Sequence, residues 1–197
     1  MERGKFIVFY GVNNLGKTTQ AKLLTEKLQT KGCTTKNIKY PIYDLSPSGP
    51  MINSYMREEN PLQLSAREAQ IMYALNRYQY EPQLKSLLEK GISIVAEDYW
   101  GTGVAWGIGA GVDEGFLLKL NGDFHPPDLA ILFMGKRFGS GIEKFHLHEK
   151  NEKLSEGVAK VHDELGERFG WERVNANQPI EKVAEDIWQI TKSKLKV

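Results

Sequence analysis

Gly11-Val12-Asn13-Asn14-Leu15-Gly16-Lys17-Thr18 fits the pattern G-x-x-x-x-G-K-[ST]. Those residue types at that spacing suit polyphosphate chemistry. Gly11 and Gly16 let the backbone wrap closely, so that N–H groups of Asn13, Asn14, Leu15 and Thr19 and the N-terminus of the next helix face phosphate oxygens. Lys17 is placed to bridge the β- and γ-phosphates, and the Thr18 hydroxyl to ligate Mg²⁺. ATP with Mg²⁺ is the implied co-substrate. A second group, the carboxylates of Glu97 and Asp98, follows a short β run, and acidic residues at the end of a strand are the expected support for the nucleotide's metal ion. Lys17, Glu97 and Asp98 are therefore the candidate catalytic residues, with Thr18, Glu97 and Asp98 around Mg²⁺.

These groups need elements to hold them. Residues 5–10 are almost continuously apolar up to Gly11, as in a strand buried on both faces of a parallel sheet. A helix over 18–31 follows, with Ala21, Leu24 and Leu28 at helical spacing and Gly32 as its stop. A second strand is expected over 37–40 and a loop over 44–50, where Pro47, Gly49 and Pro50 cluster. Ser65, with Glu68 three residues on, caps a long helix that Pro82 interrupts and Gly91 ends. Ile71, Leu75, Tyr78, Leu84, Leu87 and Leu88 are assigned to its buried side. Residues 92–96, 129–134 and 171–174 read as further strands, and 180–195 as the last helix. Five strands alternating with helices predict an α/β domain of P-loop type, with a parallel sheet flanked by helices. Residues 135–170 divide into a charged, glycine-rich lid (136–152) and a helical repeat of Leu154, Val158, Val161 and Leu165.

The chain's 197 residues suffice for one such domain, with no linker or internal repeat to divide it. Twenty-six Lys plus Arg oppose twenty-five Asp plus Glu, a net charge of +1, which offers no global field for a nucleic-acid polymer or an anionic membrane. Cys33 is the one cysteine, so an intrachain disulfide and a Cys-rich zinc site are excluded. The apolar run ending at Tyr10 is too short for a signal-peptide core or a membrane span, and a cytoplasmic location is expected. GTPases carry an Asn-Lys-x-Asp tetrapeptide for guanine, which does not occur here. A lid late in a small domain fits a kinase, which must keep water from the γ-phosphoryl group.

Residues 6–20, FIVFYGVNNLGKTTQ, resemble the amino-terminal signature of thymidylate kinases. The likeness continues in order through Tyr40-Pro41-Ile42-Tyr43, Tyr73-Ala74-Leu75-Asn76-Arg77, Glu97-Asp98-Tyr99 with Thr102, and Val174-Asn175-Ala176-Asn177. The resemblance implies conversion of dTMP to dTDP and a homodimer. It also implies that Tyr73 stacks on thymine, Arg77 bonds the base, Tyr43 touches the acceptor phosphate, and Trp106 crowds the sugar 2′ position. Asn13, Tyr99 and Thr102 join them as acceptor-binding residues, Arg137 and Lys144 as lid contacts to ATP, and Asn175 and Asn177 beside adenine.

The chain departs from that family where charge matters. Tyr10 and Asn13 stand where glutamate and aspartate are usual, and Asp98 stands where an arginine clamps the acceptor phosphate. A dianionic acceptor beside ATP needs positive charge. Three substitutes are open. Glu97 and Asp98 could recruit Mg²⁺ between the two phosphates, which is the favoured reading, or Arg57, Arg67, Arg137 or Lys144 could close on the site. Alternatively the acceptor carries no phosphate, as in a deoxynucleoside kinase, or the chain binds nucleotide without transferring phosphate. His146-Leu147-His148-Glu149 lacks the spacing of a metal site and reads as solvated surface.

Overall fold

The computed structural model describes residues 2–58, 60–138 and 152–196. Five strands form one wholly parallel sheet: β1 (Phe6–Tyr10), β2 (Thr35–Lys39), β3 (Ser93–Glu97), β4 (Leu129–Met134) and β5 (Glu172–Asn175), in spatial order β2-β3-β1-β4-β5. Every residue of β1 and β3 is buried, as expected of apolar strands covered on both faces. β1 lies between β3 and β4, with Phe9 opposite Glu97 on one side and Ile131 on the other. The order reverses there, and the crevice beyond the strand ends is where an open parallel sheet takes its ligand. The edge strand β2 begins two residues earlier than expected from sequence and ends one earlier.

Helix α1 (Lys17–Thr30) leaves the phosphate loop at Gly16, whose φ of 78° a residue with a Cβ rarely adopts. Helix α2 (Ser48–Arg57) corrects the expected loop over 44–50: Pro50 lies in its first turn, where a missing N–H costs nothing. Ile52, Tyr55 and Met56 pack it against Ala69 and Met72 of α3 (Ala66–Glu89). The Ser65 capping box forms, with Glu68 N–H donating to Ser65 Oγ and Ser65 N–H to Glu68 Oε2. Pro82 does not interrupt α3, because Leu84 and Leu88 beyond it are wholly buried.

The facing of α3 is a correction. Ile71, Leu75 and Tyr78 are 46%, 42% and 42% exposed, whereas Gln70, Asn76, Arg77 and Glu81 are buried. The inward face is polar because it has bonds to make. Asn76 Oδ1 accepts from Ile42 N–H, and its Nδ2 donates to Ile42 O and Ser48 Oγ, clamping the segment that leads into α2. Of the expected stripe, Leu84 and Leu88 are buried and Leu87 packs on the core's margin.

Helices α4 (Trp100–Gly109) and α5 (Glu114–Asn121) were not foreseen. α4 carries glycine at 101, 103, 107 and 109, each costing helix propensity. Close approach explains them. A Cβ would stand 2.5 Å from Trp171 at Gly101, 3.0 Å from Arg77 at Gly103, 2.7 Å from Leu117 at Gly107 and 2.6 Å from Val158 at Gly109. Helix α6 (Glu152–Arg168) bears the repeat read from sequence, with Val158 and Leu165 buried, and α7 (Ile180–Leu195) covers the sheet through Val183 and Ile187. Residues 139–151, which hold most of the expected lid, lie outside the described residues, as do Lys144 and the His146–Glu149 cluster. Among the described residues no helix is long and apolar enough to cross a membrane.

His162 of α6 is 1% exposed. Its Nδ1–H donates to Val158 O at 3.0 Å, and its Nε2 has no partner among the described residues. Burial, reinforced by the charge of Lys17, depresses its pKa from 6.5 to about 3. Below pH 6.5 the unfolded chain binds a proton that the folded chain refuses. Stability is therefore full above that pH and falls toward pH 3 by about 1.4 kcal/mol per unit. In denaturant titrations, His162→Leu is expected to lose about 2 kcal/mol less than wild type between pH 6.5 and pH 5. Equal losses would remove His162 as the cause.

Candidate active site

One cleft of about 630 Å³ runs across the carboxyl ends of β1 and β3. At its centre the chain turns at Gly11, with φ 130°, where a Cβ would stand 2.8 Å from Phe133 O. The loop then wraps with Asn14 and Gly16 in left-handed conformation. Asn13, Asn14, Leu15, Gly16, Lys17, Thr18 and Thr19 all line the cleft, and Asn14 O accepts from Phe138 N–H, tying the loop to the chain beyond β4.

Lys17 is 6% exposed. Its ammonium donates to Gly11 O at 2.8 Å and Val12 O at 2.9 Å, and lies 3.6 Å from Asp98 Oδ1. Asp98 is held in a left-handed conformation (φ 58°), and its Oδ1 accepts from Thr102 Oγ1 at 3.0 Å. The Thr18 hydroxyl donates to Glu97 Oε2 at 2.7 Å, and Lys39 Nζ is 3.7 Å from the same oxygen. Glu97 and Asp98 are thus tied to the phosphate loop by separate contacts.

This donor set suits Mg²⁺. A hard ion prefers oxygen ligands and keeps waters and phosphate oxygens alongside a few protein groups, so a hydroxyl and two carboxylates at the loop are an adequate protein share. Among the described residues no cluster of three or more His, Cys, Asp or Glu could hold an ion without a nucleotide.

At the other end, Tyr43, Tyr73, Arg77, Tyr99, Thr102 and Trp106 line the same cleft. Tyr73 and Arg77, one helical turn apart, face the same way. The Tyr73 hydroxyl donates to Met56 Sδ, and burial pushes its pKa well up, so the ring is a neutral aromatic face. Arg77 is 4% exposed and donates from Nη2 to Asn121 Oδ1 at 2.9 Å. Burial lowers its pKa only to about 10, so it stays a cation at neutral pH. Tyr99 is buried, donates to Glu81 Oε2 and lines the cleft.

The expected cations separate in space. Arg57 lines the cleft, bonded to Asn53 Oδ1 with its guanidinium 4.9 Å from the Tyr43 ring centre. Arg67 instead lies over Phe116, and Arg137 donates to Ser155 Oγ outside the cleft walls. Asn175 and Asn177 also stand off the cleft. Asn177 accepts from Lys136 N–H and donates to Lys136 O, fixing the exit from β4, while Ala176 and Gln178 form the wall. Lys39, Met56 and Gln70 line the cleft although sequence reasoning passed them over. Gln70 was legible in principle, since it precedes Tyr73 by three residues and Arg77 by seven on one helical face.

The family model described as thymidylate kinase matches residues 9–187. The thymidylate kinase of Plasmodium falciparum is 30% identical, with 98% of this chain and 93% of that protein covered. That of Dictyostelium discoideum is 28% identical over all of this chain and 88% of its own. A solved structure of the Candida albicans thymidylate kinase superposes with a TM-score of 0.83 over 97% of this chain and 92% of that one, at 24% identity, which speaks for the fold. With a family model matched over most of its length and a relative 30% identical across nearly all of both chains, the chain belongs to the thymidylate kinase family.

Proposed function

We propose that the protein transfers the γ-phosphoryl group of ATP to the phosphate of dTMP, giving ADP and dTDP. By its family the chain is a nucleoside monophosphate kinase. The observation that carries the dTMP reading is the continuity of one cleft from Thr18 and Lys17 to Tyr73, Arg77 and Trp106, which lets a triphosphate and a nucleotide base occupy opposite ends. A phosphate oxygen of the acceptor attacks the γ-phosphorus, the bond to the β-phosphate oxygen breaks, and ADP leaves. Lys17, resting on Gly11 O, Val12 O and Asp98, turns to the β- and γ-phosphates and offsets charge developing on the equatorial oxygens. Thr18 and Glu97, with Asp98 close by, are the residues that would hold Mg²⁺, which when bound neutralises phosphate charge. Tyr73 stacks on the base, Trp106 presses on the sugar, and Arg57 beside Tyr43 brings a cation to the acceptor's side of the cleft. Asn13 is a candidate partner for the acceptor sugar.

The exposed stripe of Ile71, Leu75 and Tyr78 on α3 is what a homodimer would cover, and a cytoplasmic location fits a reaction that draws on ATP.

The first test is an acceptor screen, with ATP and Mg²⁺ against each deoxynucleoside, dNMP and rNMP. A dTDP product is expected, abolished or reduced about 10²–10³-fold in Lys17→Ala; phosphorylated thymidine without dTDP would overturn the reading. Asp98→Arg should cut turnover about tenfold or more by setting a second cation against Lys17, and a variant faster than wild type would make Asp98 a lost clamp instead. Leu75→Glu is expected to shift the protein from dimer to monomer in sedimentation, and an unaltered mass would place any dimer contact elsewhere.

A further inference from the structure

Two groups on α3 that line the cleft, the Oε1 of Gln70 and the Nε of Arg77, have no hydrogen-bond partner among the described residues. Both side chains are 4% exposed, and both line the cleft. Gln70 Oε1 and the Nη1 and Nη2 end of the Arg77 guanidinium converge on Gly103 of α4. A Cβ there would stand 3.0 Å from Arg77 Nη2, 3.2 Å from its Nη1 and 3.3 Å from Gln70 Oε1, so the bare glycine backbone is what leaves an acceptor and a donor side by side. Such orphans are rare because an unmade buried hydrogen bond is costly, and in a cleft wall they mark where a ligand supplies the missing partners.

The guanidinium is held in place from behind: Leu117 O accepts from Asn121 Nδ2, and Asn121 Oδ1 accepts from Arg77 Nη2. Gln70, Tyr73 and Arg77 follow one another along one face of α3, so a base stacked on Tyr73 presents its edge to its two neighbours. Thr102, the nearby hydroxyl, donates to Asp98.

We propose that Gln70 is a base-reading residue whose amide oxygen accepts the N3–H of a thymine or uracil ring while Arg77 donates to the adjoining C4 carbonyl. An imide edge offers N–H beside C=O, the complement of an acceptor beside a donor. Cytosine turns an amino group toward Arg77, setting donor against donor. The proposal rests on the dTMP reading above and names a further specificity residue for it.

The test compares dTMP with its N3-methyl derivative as acceptors for wild type, Gln70→Ala, Gln70→Met and Gln70→Glu. Wild type is expected to favour dTMP in kcat/KM by about tenfold or more. The preference should fall toward unity in Gln70→Ala and persist in Gln70→Glu, whose carboxylate still accepts a hydrogen bond, with KM for ATP unchanged throughout. Gln70→Met keeps the chain length and helix propensity, and gives the same reading should the alanine variant fold poorly. A purely structural Gln70 would slow both acceptors alike, so an unchanged ratio in the Ala or Met variant overturns the assignment. A wild type that forms no dTDP would overturn the acceptor reading and the role of Gln70 together, whereas an active wild type with unchanged variant ratios sinks Gln70 alone.

Discussion

Parallel pairing of β1 between β3 and β4 is the constraint on which the rest depends. It brings Phe9 opposite Glu97, so that the phosphate loop leaving β1 and the carboxylates leaving β3 emerge together. The contacts of Lys17 with Asp98 and of Thr18 with Glu97 follow from that register. A shift of one residue would turn the side chains of the shifted strand to the opposite face and break both contacts. Gly11 belongs to the same constraint, because the loop passes so close to Phe133 of β4 that a side chain would not fit.

The Tyr73 and Arg77 end of the cleft is organised by burial of polar groups along α3. Asn76 holds the segment before α2, Glu81 accepts from Tyr99, and Arg77 is fixed by Asn121. Buried polar groups are costly unless bonded, and each of these bonds joins α3 to a different part of the chain. The same face therefore both assembles the pocket and lines it. The apolar residues that ordinarily point inward are displaced to the outside at Ile71, Leu75 and Tyr78.

The carboxylate at Asp98 changes the balance of charge in a site that handles two phosphorylated molecules. It leaves Lys17 as the one cation in contact with both the loop carbonyls and a carboxylate among the described residues, and Arg57 as the arginine on the side of Tyr43. These two cations stand on different elements, Lys17 at the start of α1 and Arg57 at the end of α2, which spacing arguments reach only loosely.

The phosphate loop, the strands around it and the Ser65 capping box were legible in the sequence because each is a local device: a glycine where φ is positive, an apolar run between turns, a side chain three residues from its partner. Tyr73 and Arg77 were legible through family likeness. Which face of α3 turns inward, why α4 tolerates four glycines, and that Arg57 and Gln70 reach the cleft while Asn175, Asn177 and Arg137 do not were decided by tertiary structure alone. Helical periodicity says which residues share a face but not what that face meets. That depends on hydrogen bonds and close contacts between elements far apart in the chain, which exist only once the sheet has set its strands in order.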